Sequence, residues 1–177
     1  VDRTIAVNDA WRIAPWADVL YGADGPWWMH HRGVPRFAGE KWTQDKGPNS
    51  LSRPRGGCAA DLYGLSVARS EANGPGVSLD PGYIRQGANS GFQALNLAAL
   101  FGAARIWLLG FDMQHTGGRK HFFGPHPGPL DRGHSFKKWV AAFNTAAPQL
   151  AAAGIEVINC TRETALACFP RVAIEDL

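Results

Sequence analysis

The residues best equipped for chemistry fall in one stretch, 83–113. It holds Asn89-Ser90-Gly91, an alanine- and leucine-rich run to Leu100, Gly102, the apolar Ile106-Trp107-Leu108-Leu109 and then Asp112. Asn and Ser are good helix N-caps and the run behind them has high helix propensity, so a helix is expected to start at this polar pair. Gly102 is placed to end it, and the apolar run that follows suits a fully buried parallel strand. The start of such a helix offers unpaired backbone N–H groups beside Gly87 and Gly91, where a phosphate or carboxylate could approach without meeting a Cβ. Asn-Ser-Gly also caps helices for purely structural reasons, so position has to decide between the two roles. In an open α/β sheet the ligand lies beyond the carboxyl ends of the strands, and both the helix start and Asp112 are expected at that edge.

A second chemical stretch follows. Residues 114–129 are rich in Gly and Pro and carry His115, His121 and His126, which describes a lid-like loop in which His121 or His126 would act as acid, base or hydrogen-bond donor to phosphate. Zinc is the alternative, with His121, His126 and Asp112 as ligands. No cysteine pair or His-Glu-x-x-His pattern supports it.

The elements that must position these groups read as a mostly parallel α/β domain. Thr4-Ile5-Ala6-Val7 runs into Asn8, the apolar segment before Asp24 forms a second strand, and Ile155-Glu156-Val157-Ile158 runs into Asn159. Each of these strands ends in a polar residue, so a polar carboxyl edge recurs. A helical turn is expected after Gly25-Pro26, a helix over 62–72, a long amphipathic helix over 135–153 that Pro148 bends or ends early, and a last helix capped by Thr161. Residues 33–82 lack periodicity and read as a long irregular insertion with at most short edge strands; they hold Lys41, Lys46, Arg53 and Arg55, a solvated loop or a cover that neutralises phosphates. The sheet starts almost at Val1, which leads us to expect that an earlier strand of the fold is missing.

Composition narrows the class. A chain of 177 residues that is 45% hydrophobic and 19% charged suits one domain, and 21 Gly with 12 Pro demand many turns and loops. A net charge of +3 is too weak to argue for nucleic acid and is compatible with an anionic small molecule. No apolar run approaches the ~18 residues of a membrane span. Cys58, Cys160 and Cys168 have no metal-type spacing, which favours a reduced, cytoplasmic setting. Seven tryptophans, five of them between Trp11 and Trp42, suggest an aromatic pocket wall or a contact surface.

Ile5-Ala6-Val7-Asn8, Tyr21-Gly22-Ala23-Asp24, Asn89-Ser90-Gly91, Ile106 through Gly110-Phe111-Asp112, and Ile155 through Asn159 together make a recognisable set. It resembles a Rossmann-like group that contains the motility-accessory and 6-hydroxymethylpterin-pyrophosphokinase-like proteins and related bacterial sialyltransferase-like glycosyltransferases; small phage and prophage proteins look similar. The resemblance covers most of the chain outside residues 33–82. It implies that the strand-end asparagines and the Asn-Ser-Gly turn hold a nucleotide or diphosphate, with Asn8, Asp24, Asn89, Ser90, Gly91 and Asp112 as matching positions. The family's first strand and its phosphate loop have no counterpart before Val1, and Phe122 and Phe123 stand where tyrosines are expected.

The expected activity is transfer from a nucleotide or sugar-nucleotide donor, glycosyl or diphosphoryl. Asn8, Asn89, Ser90, Gly91 and Asn159 would bind the donor, and Asp24 or Asp112 a Mg²⁺ ion or a ribose hydroxyl. Two other classes stay open: a non-catalytic nucleotide- or nucleic-acid-binding accessory protein, and a structural domain whose tryptophans mediate oligomer assembly.

Overall fold

A computed structural model describes residues 2–45, 63–71, 74–119, 122, 124 and 135–176. Its frame is a five-stranded, wholly parallel sheet in sequential order: β1 (Ile5–Val7), β2 (Val19–Tyr21), β3 (Glu40–Asp45), β4 (Ser66–Glu71) and β5 (Ile84–Arg85). Two further parallel strands, β6 (Arg105–Leu108) and β7 (Glu156–Asn159), pair with one another. Among the described residues three longer helices accompany them: α1 (Gly25–His30), α2 (Ser90–Leu100) and α3 (Phe136–Ala152). The fold is α/β and Rossmann-like, as its strand and helix pattern implied.

α2 is the element the rest is built on. It packs against both β1 and β5, the two outer strands, so the five-stranded sheet curls around one helix. This explains a composition that is apolar all round: Ala94 and Leu97 join Tyr21 and Ile84 on the sheet side, while Phe92, Leu95 and Ala99 join Phe143, Leu150 and Leu166 beneath α3. Burying side chains of this size contributes about 1.5–3 kcal/mol each. Asn89 caps the helix, its Oδ1 accepting from Phe92 N at 3.0 Å, and Gly102, at φ +84°, lets the chain leave the other end.

Several expectations needed correction. The stretch 33–82 supplies β3 and β4, and neither is an edge strand, since β3 pairs with β2 and β4, and β4 with β3 and β5. Within the stretch 62–72, where a helix is expected, Ser66–Glu71 form β4 instead, because pairing with distant residues overrides local propensity. No helix forms at Thr161. Its Oγ1 accepts from Phe111 N and Thr164 Oγ1 donates to Phe111 O, so both hydroxyls tie the loop to the end of β6 rather than cap a helix. β6 is not fully buried either: Ile106 and Leu108 face the core while Trp107 is 39% exposed, the alternation of a strand covered on one face. Pro148 does not end α3, which runs on to Ala152 with the proline on its exposed side.

The tryptophans divide between core and surface. Trp27 and Trp28 are buried in a cluster with Leu20 and Phe37, and their clustering reflects packing rather than a contact face. Trp16 stands out at 71% exposed.

Candidate functional site

Because the five strands are parallel, their carboxyl ends share one edge. The pairing steps outward along it: Tyr21, the last residue of β2, sits opposite Trp42, and β3 continues to Asp45; Asp45 sits opposite Arg69, and β4 continues to Glu71. α2 begins at this edge, four residues after β5. The end of β6 comes to the same place, since a Cβ on Gly91 would lie 2.9 Å from the Phe111 ring.

A buried polar network forms the floor. The Tyr21 hydroxyl donates to Gln93 Oε1 (2.8 Å), and Gln93 Nε2 donates to Gln86 O (2.8 Å) and Gln44 Oε1 (3.3 Å). Ser70 Oγ donates to Gln44 Oε1 (3.1 Å) and accepts from Gln86 Nε2 (3.3 Å), while Gln44 Nε2 donates to Ala23 O (3.0 Å). β2, β3, β4 and α2, together with the exit of β5, are thus laced together by neutral groups. Burial, and secondarily the Asp24 carboxylate, push the Tyr21 phenol well above its ordinary range, so it stays a donor. Such a network fixes positions; it supplies no base or nucleophile.

The sequence offered few signs of this network. Gln93 and Asn96 stand out only as polar residues inside an apolar helix, and Gln44, Ser70 and Gln86 look like ordinary surface residues. Asn96 is fully buried and pins the loop before β5: its Oδ1 accepts from Ser78 N and Arg85 N, both at 2.9 Å, and its Nδ2 donates to Ser78 O at 2.7 Å.

The expected site residues occupy different environments. Asn8 leaves β1 at φ +48°, a left-handed conformation that asparagine tolerates better than most residues, and its side chain has no hydrogen-bond partner among the described residues. Asp24 precedes α1 in extended conformation, with its carbonyl rather than its carboxylate engaging Trp27 N. Asn89 spends its Oδ1 on the cap. The amides of Ser90 and Gly91 have no acceptor among the described residues, as expected for the first turn of a helix. The two glycines are required by packing: a Cβ on Gly87 would meet the Phe92 ring at 2.2 Å, and on Gly91 would meet Asn89 Oδ1 at 2.9 Å.

Asp112 follows Phe111 at the same edge, and its carbonyl accepts from Ala165 N. Asn159 is wholly buried with both ends of its amide engaged: Oδ1 accepts from Thr161 N (3.0 Å), and Nδ2 donates to Leu166 O (3.3 Å). It organises the chain after β7. His121 and His126 lie outside the described residues. So do Lys46, Arg53, Arg55 and Cys58.

Charge at the edge is mixed. Arg85 lies over the Tyr83 ring, its Nη1 3.6 Å from Glu71 Oε2, and its buried Nε has no acceptor among the described residues. Among the described residues no group of three or more His, Cys, Asp or Glu side chains is placed to hold a metal ion. Asp24 and Asp112 would have to bind Mg²⁺ in the sparse manner usual for that ion, with one or two carboxylates, water and substrate phosphates. Burial pushes the Cys160 thiol up and the Cys168 thiol up to about 11, so neither is a thiolate nucleophile at neutral pH.

Comparison with protein-family models, curated proteins and solved structures returned no match. No helix among the described residues is long and apolar enough to cross a membrane.

Proposed function

We propose that the chain binds a nucleotide or sugar nucleotide at the carboxyl edge of its sheet and transfers a glycosyl or diphosphoryl group from it. One observation carries the reading: the parallel strands bring their ends to the edge where an eleven-residue helix begins, with no acceptor for the Ser90 and Gly91 amides among the described residues. The partial positive charge of a helix start suits a phosphate, and the neutral floor of Gln44, Gln93 and Tyr21 holds that start rigidly. Asp24 and Asp112 supply carboxylates for Mg²⁺ or a ribose hydroxyl, and His121 or His126 the base. The resemblance to pyrophosphokinase-like and sialyltransferase-like proteins, to which small phage and prophage proteins look similar, supports the same donor class.

The test is a thermal-shift panel of CMP, CDP, UDP, GDP, ATP and sugar nucleotides, with and without Mg²⁺. A ligand at about 100 times its dissociation constant adds roughly 2.7 kcal/mol of apparent stability, an easily seen rise in Tm. No shift with any nucleotide overturns the reading. Where a donor is found, its turnover separates an enzyme from a non-catalytic accessory protein: His121→Ala or His126→Ala stops turnover and leaves binding intact only in an enzyme.

A further inference from the structure

The chain following β1 and the chain following α1 border an open cleft of about 620 Å³. Its apolar wall is Trp11, Val34 and Pro35; its polar wall is basic, made by Arg12, His31, Arg32 and Arg36. Among the described residues no acidic side chain lines it.

Two features show that the cleft is built rather than incidental. Beneath it lies the carboxylate of Asp9, only 3% exposed. Asp9 accepts from Trp27 Nε1 at 3.0 Å and stands 3.1 Å from Arg12 Nε and 3.6 Å from His31 Nε2, which fixes both basic groups from below. Arg12 is thereby charge-balanced. Arg32 and Arg36 form no ion pair with a described residue, so the cleft keeps a positive excess.

The second feature is the backbone. Arg32, Gly33 and Val34 are consecutive left-handed residues, at φ +51°, +69° and +47°. A β-branched residue there is an outlier, held only where its surroundings over-determine it. Here Gly33 N donates to Trp28 O, Val34 N to His31 O and Lys41 Nζ to Gly33 O, and the Tyr63 ring fills the space a Gly33 Cβ would need. This turn carries Arg32 to the wall that Arg36 completes. Trp11 adds an independent sign: its indole N–H is sealed from solvent and has no acceptor among the described residues. A buried donor without a partner marks a place where water or a ligand oxygen belongs.

We propose that this cleft is a second binding site, for a small phosphate ester with a flat apolar body. Arg32 and Arg36 hold the phosphate by charge-assisted hydrogen bonds, and the body lies along Trp11 and Pro35. The site does not depend on the carboxyl-edge reading.

Phenyl phosphate is the direct probe, titrated calorimetrically into the full chain at about 0.15 M salt, where non-specific attraction is screened. Saturable one-to-one binding is expected, with phenol and inorganic phosphate each at least about tenfold weaker. The pair Arg32→Asn and Arg36→Gln, in which Asn tolerates the left-handed backbone, is expected to weaken it at least about tenfold. Should that pair lower the melting temperature, Arg36→Gln alone, at an exposed position, must still weaken binding. Asn89→Asp is expected to leave this affinity unchanged, which separates the cleft from the nucleotide site. Failure to saturate, an affinity indifferent to Arg32 and Arg36, or a single-stranded oligonucleotide displacing the probe with a steep salt dependence would overturn the proposal.

Discussion

At the scale of single residues, Tyr21 shows how the site is made rigid. It is fully buried, and its hydroxyl is the donor that satisfies Gln93 Oε1, the first link of the amide network under the carboxyl edge. Removing the hydroxyl leaves a buried carbonyl oxygen short of its partner, which costs about 1–3 kcal/mol. Tyr21→Phe is expected to lower the unfolding free energy in urea by that amount with no change in m-value; an unchanged midpoint would show that the hydrogen bond contributes no such stability. The residue types at the edge were readable because caps and strand ends have chemical signatures: Asn89 in particular has the side chain an N-cap needs. The network itself was not, because nothing local distinguishes Gln44 or Ser70 from a solvated polar residue until β3 and β4 are paired. Asn159 carries the same lesson in the other direction. A polar residue at a strand end is as well suited to bonding Thr161 N and Leu166 O as to meeting a ligand.

At the scale of elements, propensity succeeded where the contacts are local and failed where they are distant. α2 begins at the cap and ends at the glycine its sequence signalled, and α3 ends before Gly154, at φ +75°. β3 and β4 were missed because strands of six residues among glycines and prolines gain their stability only from neighbours far along the chain. The helix expected at Thr161 is absent for the same reason, its hydroxyl engaged some fifty residues away on Phe111. α3 offers a test of propensity against packing. Pro148 removes an N–H from its interior on the exposed side, and Pro is about 3 kcal/mol worse than Ala in a helix interior, partly offset by its stiffening of the unfolded chain. Pro148→Ala is expected to raise stability by about 1–2 kcal/mol in urea unfolding. A loss would show that the proline is part of the native packing.

At the scale of the whole molecule, one helix gathers the fold. α2 touches both outer strands of the curled sheet and α3, and its first turn opens on the edge where the parallel strands end. The proposed ligand site and the stability of the domain therefore share an element, which makes alanine substitution a poor probe: Asn89→Ala would remove a cap worth about 0.5–2 kcal/mol as well as any contact with phosphate. Asp caps a helix as well as Asn does, and it places a negative charge where the phosphate would lie. The decisive measurement is the affinity of Asn89→Asp for whichever nucleotide most stabilises the wild-type chain, taken beside the ligand-free melting temperature of both proteins. A nucleotide at the carboxyl edge requires the melting temperature to hold while affinity falls at least about tenfold, 1.4 kcal/mol or more of lost binding free energy. Undiminished affinity in a variant that melts like wild type would place the nucleotide elsewhere and contradict the central claim.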